Sequence, residues 1–353
     1  MSKRWMIYGA NGYTGKLVAR LAVQRGLHPV LAGRHEQRVG AVARELGLDY
    51  RIFALEDPGA LHAGLEGIDA VLHTAGPFSS TSAPMVQACI DSRVHYLDIT
   101  GEIAVFEDVF GRDDDARKAG ISLLPGVGFD VVPTDCLAAI VARELPSATR
   151  LEIAVVGLGA MSQGTWKSSI EGMARGGFVR SNGRIVPVPA AWKRRRVPFP
   201  HKPLDAVTVP WGDVSTAYRS TAIPDVWVYM ALPPGAARLL PVLDRLRPFL
   251  GAESVQRGLK KIVELRVQGP DDTMRSRGSS HAWVEATDAT GRRVTGTLTG
   301  PEAYTLTADA AIRAVRAVLE GACRPGAWTP SQAFGAEFVK ELDGVTVHAI
   351  ERG

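Results

Sequence analysis

Cysteine is scarce in this chain. There are three in 353 residues, Cys89, Cys136 and Cys323, odd in number and far apart, so neither a disulfide framework nor a cysteine metal site is expected. The eight histidines show no ligand spacing, and no metal is expected. A charge excess is missing too. Lys and Arg total 41 against 37 Asp and Glu, a net charge of +4, too small and too dispersed to suggest a nucleic-acid partner. No apolar run reaches the roughly 18 to 20 residues that span a bilayer. Met-Ser-Lys-Arg leads straight into a candidate strand without a signal-peptide pattern. These absences leave a chain of 46% apolar and 22% charged residues, long enough for two domains and expected in the cytoplasm with no membrane partner.

What is present begins with an alternation. Over the first 130 residues, short apolar runs at 5–8, 29–32, 50–54, 69–73, 93–97 and 121–124 alternate with helix-period segments at 14–25, 36–46, 82–91 and 103–119. Leu17, Val18, Leu21 and Ala22 share one face of the first helix. A βαβ rhythm of this kind predicts an α/β fold with a doubly wound parallel sheet. After about residue 147 the texture changes. A strand over 150–158, a helix near 165–175, a Pro/Arg-rich stretch over 187–210 and strands at 226–231, 260–268, 281–287 and 292–298 predict a mostly antiparallel sheet with a few helices. The last two strands are joined by a hairpin signal through Gly291. A helix over 305–320 follows.

Between the first strand and first helix stands Tyr-Gly-Ala-Asn-Gly-Tyr-Thr-Gly-Lys, residues 8–16, with Gly9, Gly12 and Gly15 three apart. Glycines at such a turn let the backbone approach a pyrophosphate, and the helix N-terminus offers amides and a positive dipole end to it. GxxGxxG by itself is a weak signal; its place after a strand and before an amphipathic helix is what strengthens it. Asn11, Tyr13 and Thr14 line the same turn. The end of the second strand reads Ala32-Gly33-Arg34-His35, without the acid that bonds a ribose 2′-hydroxyl in NAD-binding folds. Arg34 can instead pair with a 2′-phosphate through parallel N–H bonds, which favours NADP(H). Asp57, after the third strand, is expected near the adenine. Ala75-Gly76-Pro77-Phe78, after the fourth, is expected beside the diphosphate and nicotinamide ribose.

Together with Gly-Ala-Asn-Gly-Tyr-Thr-Gly, Ala-Gly-Arg and Ala-Gly-Pro-Phe, three further segments form an ordered set. They are Tyr96-Leu97-Asp98-Ile99-Thr100-Gly101-Glu102, Pro125 to Asp130 leading to Pro133-Thr134-Asp135, and Ser162-Gln163-Gly164-Thr165. This set resembles the saccharopine dehydrogenase-like oxidoreductase superfamily, the trans-acting enoyl reductases included. The resemblance is strong over 1–175 and returns at Tyr304-Thr305-Leu306-Thr307 and Trp328-Thr329-Pro330 to Phe334-Gly335. It implies a Rossmann domain, an inserted α+β substrate domain, a C-terminal segment returning to the first domain, and NADP(H)-dependent hydride transfer. The division expected is 1–130 with 305–353 for the cofactor and 131–304 for substrate and dimerisation. The chain is shorter than the saccharopine-forming enzymes, and the basic set that a dicarboxylic amino acid needs is not recognisable.

Hydride chemistry comes from the cofactor; the protein must place it and supply or take up a proton. The strand-end carboxylates Asp98, Glu102 and Asp130 are the candidates, provided burial raises a pKa. Each also has a structural role open to it: Asp98 bonding amides of its own turn, Glu102 and Asp130 favouring a helix start. Gly101, Gly128 and Phe129 are expected against the nicotinamide. Thr165 is read as a helix cap, with Lys167 and Ser168 beside it, an end that can bind a substrate carboxylate, phosphate or thioester oxygen. An ordinary capped helix needs no such ligand. The basic run Lys193-Arg194-Arg195-Arg196 beside Trp192 fits either a solvated loop or an anionic carrier such as coenzyme A or an acyl carrier protein. None of the seven tyrosines has a lysine four residues on, so the Tyr-x-x-x-Lys proton-transfer pair of short-chain dehydrogenases is absent. An oxidoreductase acting on an enoyl C=C or on a C=N or C=O bond is expected, with a non-catalytic NADP(H) sensor as the alternative and a homodimer as the assembly.

Overall fold

The computed structural model describes residues 3–157, 161–231, 252–267 and 269–353. Two compact units emerge, one of residues 1–132 with 304–335, the other of 133–303 with 336–353. The division differs from expectation at the C-terminus, where the chain is shared. Residues 336–353 lie with the second unit because Thr346–Val347 and Glu351–Arg352 pair with the strand Arg293–Pro301.

In the first unit, β1 (Trp5–Tyr8), β2 (Val30–Gly33), β3 (Tyr50–Ile52), β4 (Ala70–His73), β5 (His95–Asp98) and β6 (Ser122–Leu124) form a parallel sheet. The order is β6-β5-β4-β1-β2-β3, and the short strand Gly326–Ala327 adds at the β6 edge. The chain winds outward from β1 to β3, then crosses to β4 and winds the other way. The crevice between β1 and β4 is therefore a topological switch point, where open α/β sheets bind ligands beyond the strand C-termini. Met6, Ile7, Leu31, Val71, Leu72 and Leu97 are fully buried, as strands covered on both faces require.

Two local readings change. The first helix, Tyr13–Gln24, buries Gly15, Val18, Ala19 and Ala22, so the face is rotated from the expected one. Small residues let the helix sit close on the sheet, while Leu17 and Leu21 lie at the margin. The expected helix 103–119 is two, Ile103–Gly111 and Asp113–Ala119, broken at Arg112. A helix at Pro58–Leu65 was not anticipated.

The second unit is built on a ten-stranded sheet. Its members include β7 (Ala148–Val156), β8 (Gly177–Ser181), β9 (Arg184–Val188), β10 (Arg194–Pro198), β11 (Pro203–Thr208), β12 (Asp225–Ala231), β13 (Ser279–Asp288) and β14 (Arg293–Pro301). All pairings are antiparallel except β7 with β12. The β13–β14 hairpin turns through Gly291 at φ +89°. Residues 187–210, read as a Pro/Arg-rich stretch, contribute β10 and β11, which fold as a hairpin. Val197 and Phe199 are buried with Tyr229 and Trp283, so alternate apolar residues outweigh the composition. Residues 260–266 of the expected strand 260–268 are instead part of the helix Glu253–Arg266, whose Lys260 pairs with Glu171 at 2.5 Å, and residue 268 lies outside the described residues. Among the described residues, no helix is long and apolar enough to cross a membrane.

Candidate cofactor site at the switch point of the first unit

The loop after β1 is shaped by contacts that only glycine permits. Gly9 has φ +87°, and a Cβ there would lie 2.8 Å from the Ala75 amide nitrogen. A Cβ on Gly15 would fall 2.4 Å from the Gly9 carbonyl oxygen. Inside the loop, Gly9 N–H donates to the Ala32 carbonyl at 2.8 Å and Gly12 N–H to the Gly9 carbonyl at 2.9 Å. Gly12 is the N-cap of the helix Tyr13–Gln24 and has no side chain to satisfy its first amides. The cradle thus keeps a helix N-terminus open for an anion. Asn11 turns towards β2, its Oδ1 3.2 Å from the Cβ position of Gly33.

Beyond β2, Arg34 and His35 are exposed, and Arg34 Nε donates to His35 Nε2 at 3.3 Å. Asp57 caps the helix Pro58–Leu65, its Oδ1 accepting from Ala60 N–H at 3.0 Å. The sequence reading placed Asp57 near the adenine; capping accounts for it without a ligand.

The loop after β4 is pinned from several sides. Thr74 Oγ1 donates to the Tyr8 carbonyl at 2.9 Å, and the Gly76–Pro77 peptide is cis. Thr81 donates to the Ala75 carbonyl at 2.6 Å and lies 3.0 Å from His73 Nε2. His73 is completely buried among Tyr8, Phe78 and Tyr96, and burial pushes its pKa down to about 3. It is therefore a neutral core imidazole. Neither His73 nor Thr81 carried a sequence signal.

The three candidate carboxylates separate into different roles. Asp98 is fully buried and both oxygens are engaged. Oδ2 accepts from Tyr96 Oη at 2.7 Å, and Oδ1 accepts from Thr100 N–H and Gly126 N–H at 2.9 Å each. Burial raises its pKa to about 6 while these hydrogen bonds oppose the rise. Asp98 therefore ties the loops after β5 and β6 together, the structural role that its sequence position also left open. Glu102 is likewise a clamp. Its oxygens accept from Phe78 N–H and Ser79 N–H at 3.0 Å each, so it caps the helix Phe78–Ser92 from across the sheet, as an anion suits a helix N-terminus.

Asp130 differs. Its Oδ1 is buried with no hydrogen-bond partner, and Oδ2 lies 2.5 Å from where a Gly101 Cβ would stand. Burial raises its pKa to about 7. Gly101 thus makes room for a carboxyl that carries its proton near neutrality. The backbone beside Asp130 is held by Thr307, whose Oγ1 accepts from Phe129 N–H at 3.0 Å and whose Cγ2 lies 2.8 Å from the Cβ position of Gly128.

The residues read as substrate-binding lie in the second unit. Ser162, not Thr165, is the N-cap of the helix Gln163–Arg175, its Oγ accepting from Thr165 N–H at 3.3 Å. Thr165 occupies the third helical position, with Lys167 and Ser168 following in the same helix. The basic run is partly consumed within its own unit. Arg195 pairs with Glu152 and, at 2.8 Å, with Glu285. Lys193 stacks on Trp227 at 3.5 Å, and Arg196 lies 3.7 Å from Asp205 on the neighbouring strand β11.

Residues 5–124 match the family model of the saccharopine dehydrogenase NADP binding domain. A putative trans-acting enoyl reductase of Mycobacterium tuberculosis is 32% identical over 140 residues, 37% of this chain and 33% of that protein. The saccharopine dehydrogenase-like oxidoreductase of Rattus norvegicus is 25% identical over 250 residues, 61% of this chain and 58% of its own length. The chain thus aligns with about a third to three fifths of these relatives. In structure it resembles apo saccharopine dehydrogenase (L-Glu forming) from Saccharomyces cerevisiae, with a TM-score of 0.66 at 13% identity, covering 98% of this chain and 100% of that one; at that identity the likeness speaks for the fold. Residues 5–124 thus match the NADP-binding domain of saccharopine dehydrogenases, and over part of its length the chain is similar to proteins named saccharopine dehydrogenase-like oxidoreductase and trans-acting enoyl reductase.

Proposed function

We propose that this protein is an NADP(H)-dependent oxidoreductase that reduces or oxidises a small-molecule C=C, C=N or C=O bond, with Asp130 as its proton donor or acceptor. The observation that carries the reading is the Asp130 carboxyl. It has a buried oxygen without a partner and a pKa raised to about 7, next to the glycine loop after β5. A group of that pKa holds and releases a proton at neutral pH, as general acid–base catalysis requires. The turn made by Gly9, Gly12 and Gly15 suits a pyrophosphate: a Cβ at Gly9 would strike Ala75 and one at Gly15 the Gly9 carbonyl, so only glycine allows this tight loop ahead of a helix whose N-cap has no side chain. Asn11, Tyr13 and Thr14 would line it, and Ala75, Gly76, Pro77 and Phe78 would flank the nicotinamide ribose. Arg34 would take the 2′-phosphate, and Gly101, Gly128 and Phe129 would bound the nicotinamide. The nicotinamide, when bound, supplies or accepts the hydride.

Asp98 and Glu102 serve this site by fixing the loops that carry Gly126–Asp130 and Phe78. We further infer that the substrate is carried as an anionic acyl conjugate such as a coenzyme A thioester. The basic sequence of β10, Arg194-Arg195-Arg196, is what motivates this part of the reading.

The test is calorimetric binding of NADPH and NADH to wild type and to Arg34→Asp. NADPH should bind at least about 10-fold more tightly than NADH, and the variant should reverse the order, because its carboxylate repels the phosphate. Binding of neither nucleotide at millimolar concentration refutes the cofactor reading. Tight binding without turnover of enoyl thioesters, imines or ketones would favour a sensor over an enzyme.

A further inference from the structure

Tyr304-Thr305-Leu306-Thr307 opens the helix Ala303–Leu319, far in sequence from the glycine loop, and the cofactor reading leaves it without a role. In the folded unit this one helical turn touches both sides of the candidate site. The Tyr304 ring meets Tyr13 edge-on, with centroids 4.9 Å apart and planes at 77°. Tyr13 is the first residue of the phosphate-loop helix, directly after Gly12. One turn further, Thr307 accepts the Phe129 amide proton at 3.0 Å, and its methyl lies against Gly128. Thr307 is 7% exposed, so its hydroxyl is a dry, fixed partner for the backbone that leads into Asp130. A third tie seats the helix: Asp309 pairs with Arg25, at the C-terminal cap of the same phosphate-loop helix, at 2.6 Å.

We propose that Tyr304 and Thr307 are positioning residues that set the two halves of the cofactor site against each other. Tyr304 sets the phosphate loop through Tyr13, and Thr307 sets the nicotinamide-side loop through Phe129. The proposal rests on the NADP(H) reading of the site. Helical spacing explains why the two roles fall to residues three apart: they stand on one face of the helix. Threonine suits the second role because its β-branch restricts the χ1 angle, keeping the hydroxyl on the Phe129 amide and the methyl on Gly128.

The experiment uses two probes, NADPH and 2′-phospho-ADP-ribose, which keeps the pyrophosphate but lacks nicotinamide. Tyr304→Ala should weaken both probes about 3- to 10-fold, the value of a lost aromatic pair, and Tyr304→Phe should restore both. Thr307→Val should weaken NADPH by a similar factor while leaving the fragment unchanged, and should speed amide exchange at Phe129. Thr307→Ser should restore NADPH binding. If Thr307→Val does not fold, Thr307→Ala removes the same hydroxyl with less strain. Wild-type affinity for both probes in both variants overturns the proposal, and so does an equal loss of both probes in Thr307→Val. Failure of wild type itself to bind either probe is a distinct result, since it overturns the cofactor reading on which the proposal stands.

Discussion

Replacing Asp130 by asparagine isolates one carboxyl while keeping its size. In the folded chain burial lifts that carboxyl from 3.8 to about 7. An acid whose folded value lies above its unfolded one binds more protons folded than unfolded at every pH between the two. Stability therefore falls as pH rises from about 4 to about 7. Three pH units at about 1.4 kcal/mol each set an upper bound of about 4 kcal/mol. Asp130 as a residue is only partly buried, although Oδ1 is sealed. We therefore expect about 2 kcal/mol once solvent screening is allowed for. Urea unfolding of wild type and Asp130→Asn at pH 5 and pH 8 measures it. The asparagine variant should gain about 2 kcal/mol on wild type between the two pH values. Asp98 also titrates in this window, but it is present in both proteins and cancels in the difference. A stability difference that does not change with pH refutes the reasoning. Turnover has a matching signature. Reduction should slow as pH rises past about 7, where a protonated donor is lost, and Asp130→Asn should cost about 10²- to 10⁴-fold in rate with NADPH affinity nearly unchanged.

Other residues make sharper claims about structure. Glu102→Ala removes the acceptor of the Phe78 and Ser79 amides and should cost about 1–3 kcal/mol in chemical denaturation; no loss would mean water replaces the clamp. Gly15→Ala places a methyl 2.4 Å from the Gly9 carbonyl oxygen, so NADPH binding should be lost in calorimetry even where the variant folds. Arg195→Met leaves Glu152 and Glu285 directly opposed on β7 and β13 without their shared cation, at a cost of about 3–5 kcal/mol. Adding Glu152→Gln and Glu285→Gln should recover most of that loss, and equal stability of the single and triple variants would show that the ion pairs matter little.

The first unit was legible in sequence because its information is local. Apolar runs of four residues spaced by amphipathic helices predict a parallel sheet, and the glycine loop sits at one junction of that pattern. The second unit was less so. Residues 187–210 carry so much proline and arginine that no strand was read there, yet Val197 and Phe199 are drawn into a core supplied by Tyr229 and Trp283, more distant in sequence. In 260–268, Lys-Lys-Ile-Val-Glu-Leu-Arg-Val fits a strand as well as a helix. The segment is helical where Gln256 and Lys260 bond the helix Gln163–Arg175, a contact no local pattern records. The candidate site divides in the same way. Gly9, Gly12, Gly15 and Arg34 were visible as candidates because of their place beside a strand end.

By itself, then, the sequence determined the fold class of the first unit, the phosphate loop and the preference for NADP(H), because each rests on neighbours a few residues apart. Tertiary structure alone separated the three candidate carboxylates by their hydrogen-bond partners. Asp98, Glu102 and Asp130 look alike as strand-end acids, but Asp98 is consumed by Tyr96, Thr100 and the distant Gly126, and Glu102 by Phe78 and Ser79. Asp130 keeps a buried oxygen without a partner. A proton's affinity for a carboxylate is set by which donors and how much water surround it, and those arrive only when segments far apart in the chain are packed together.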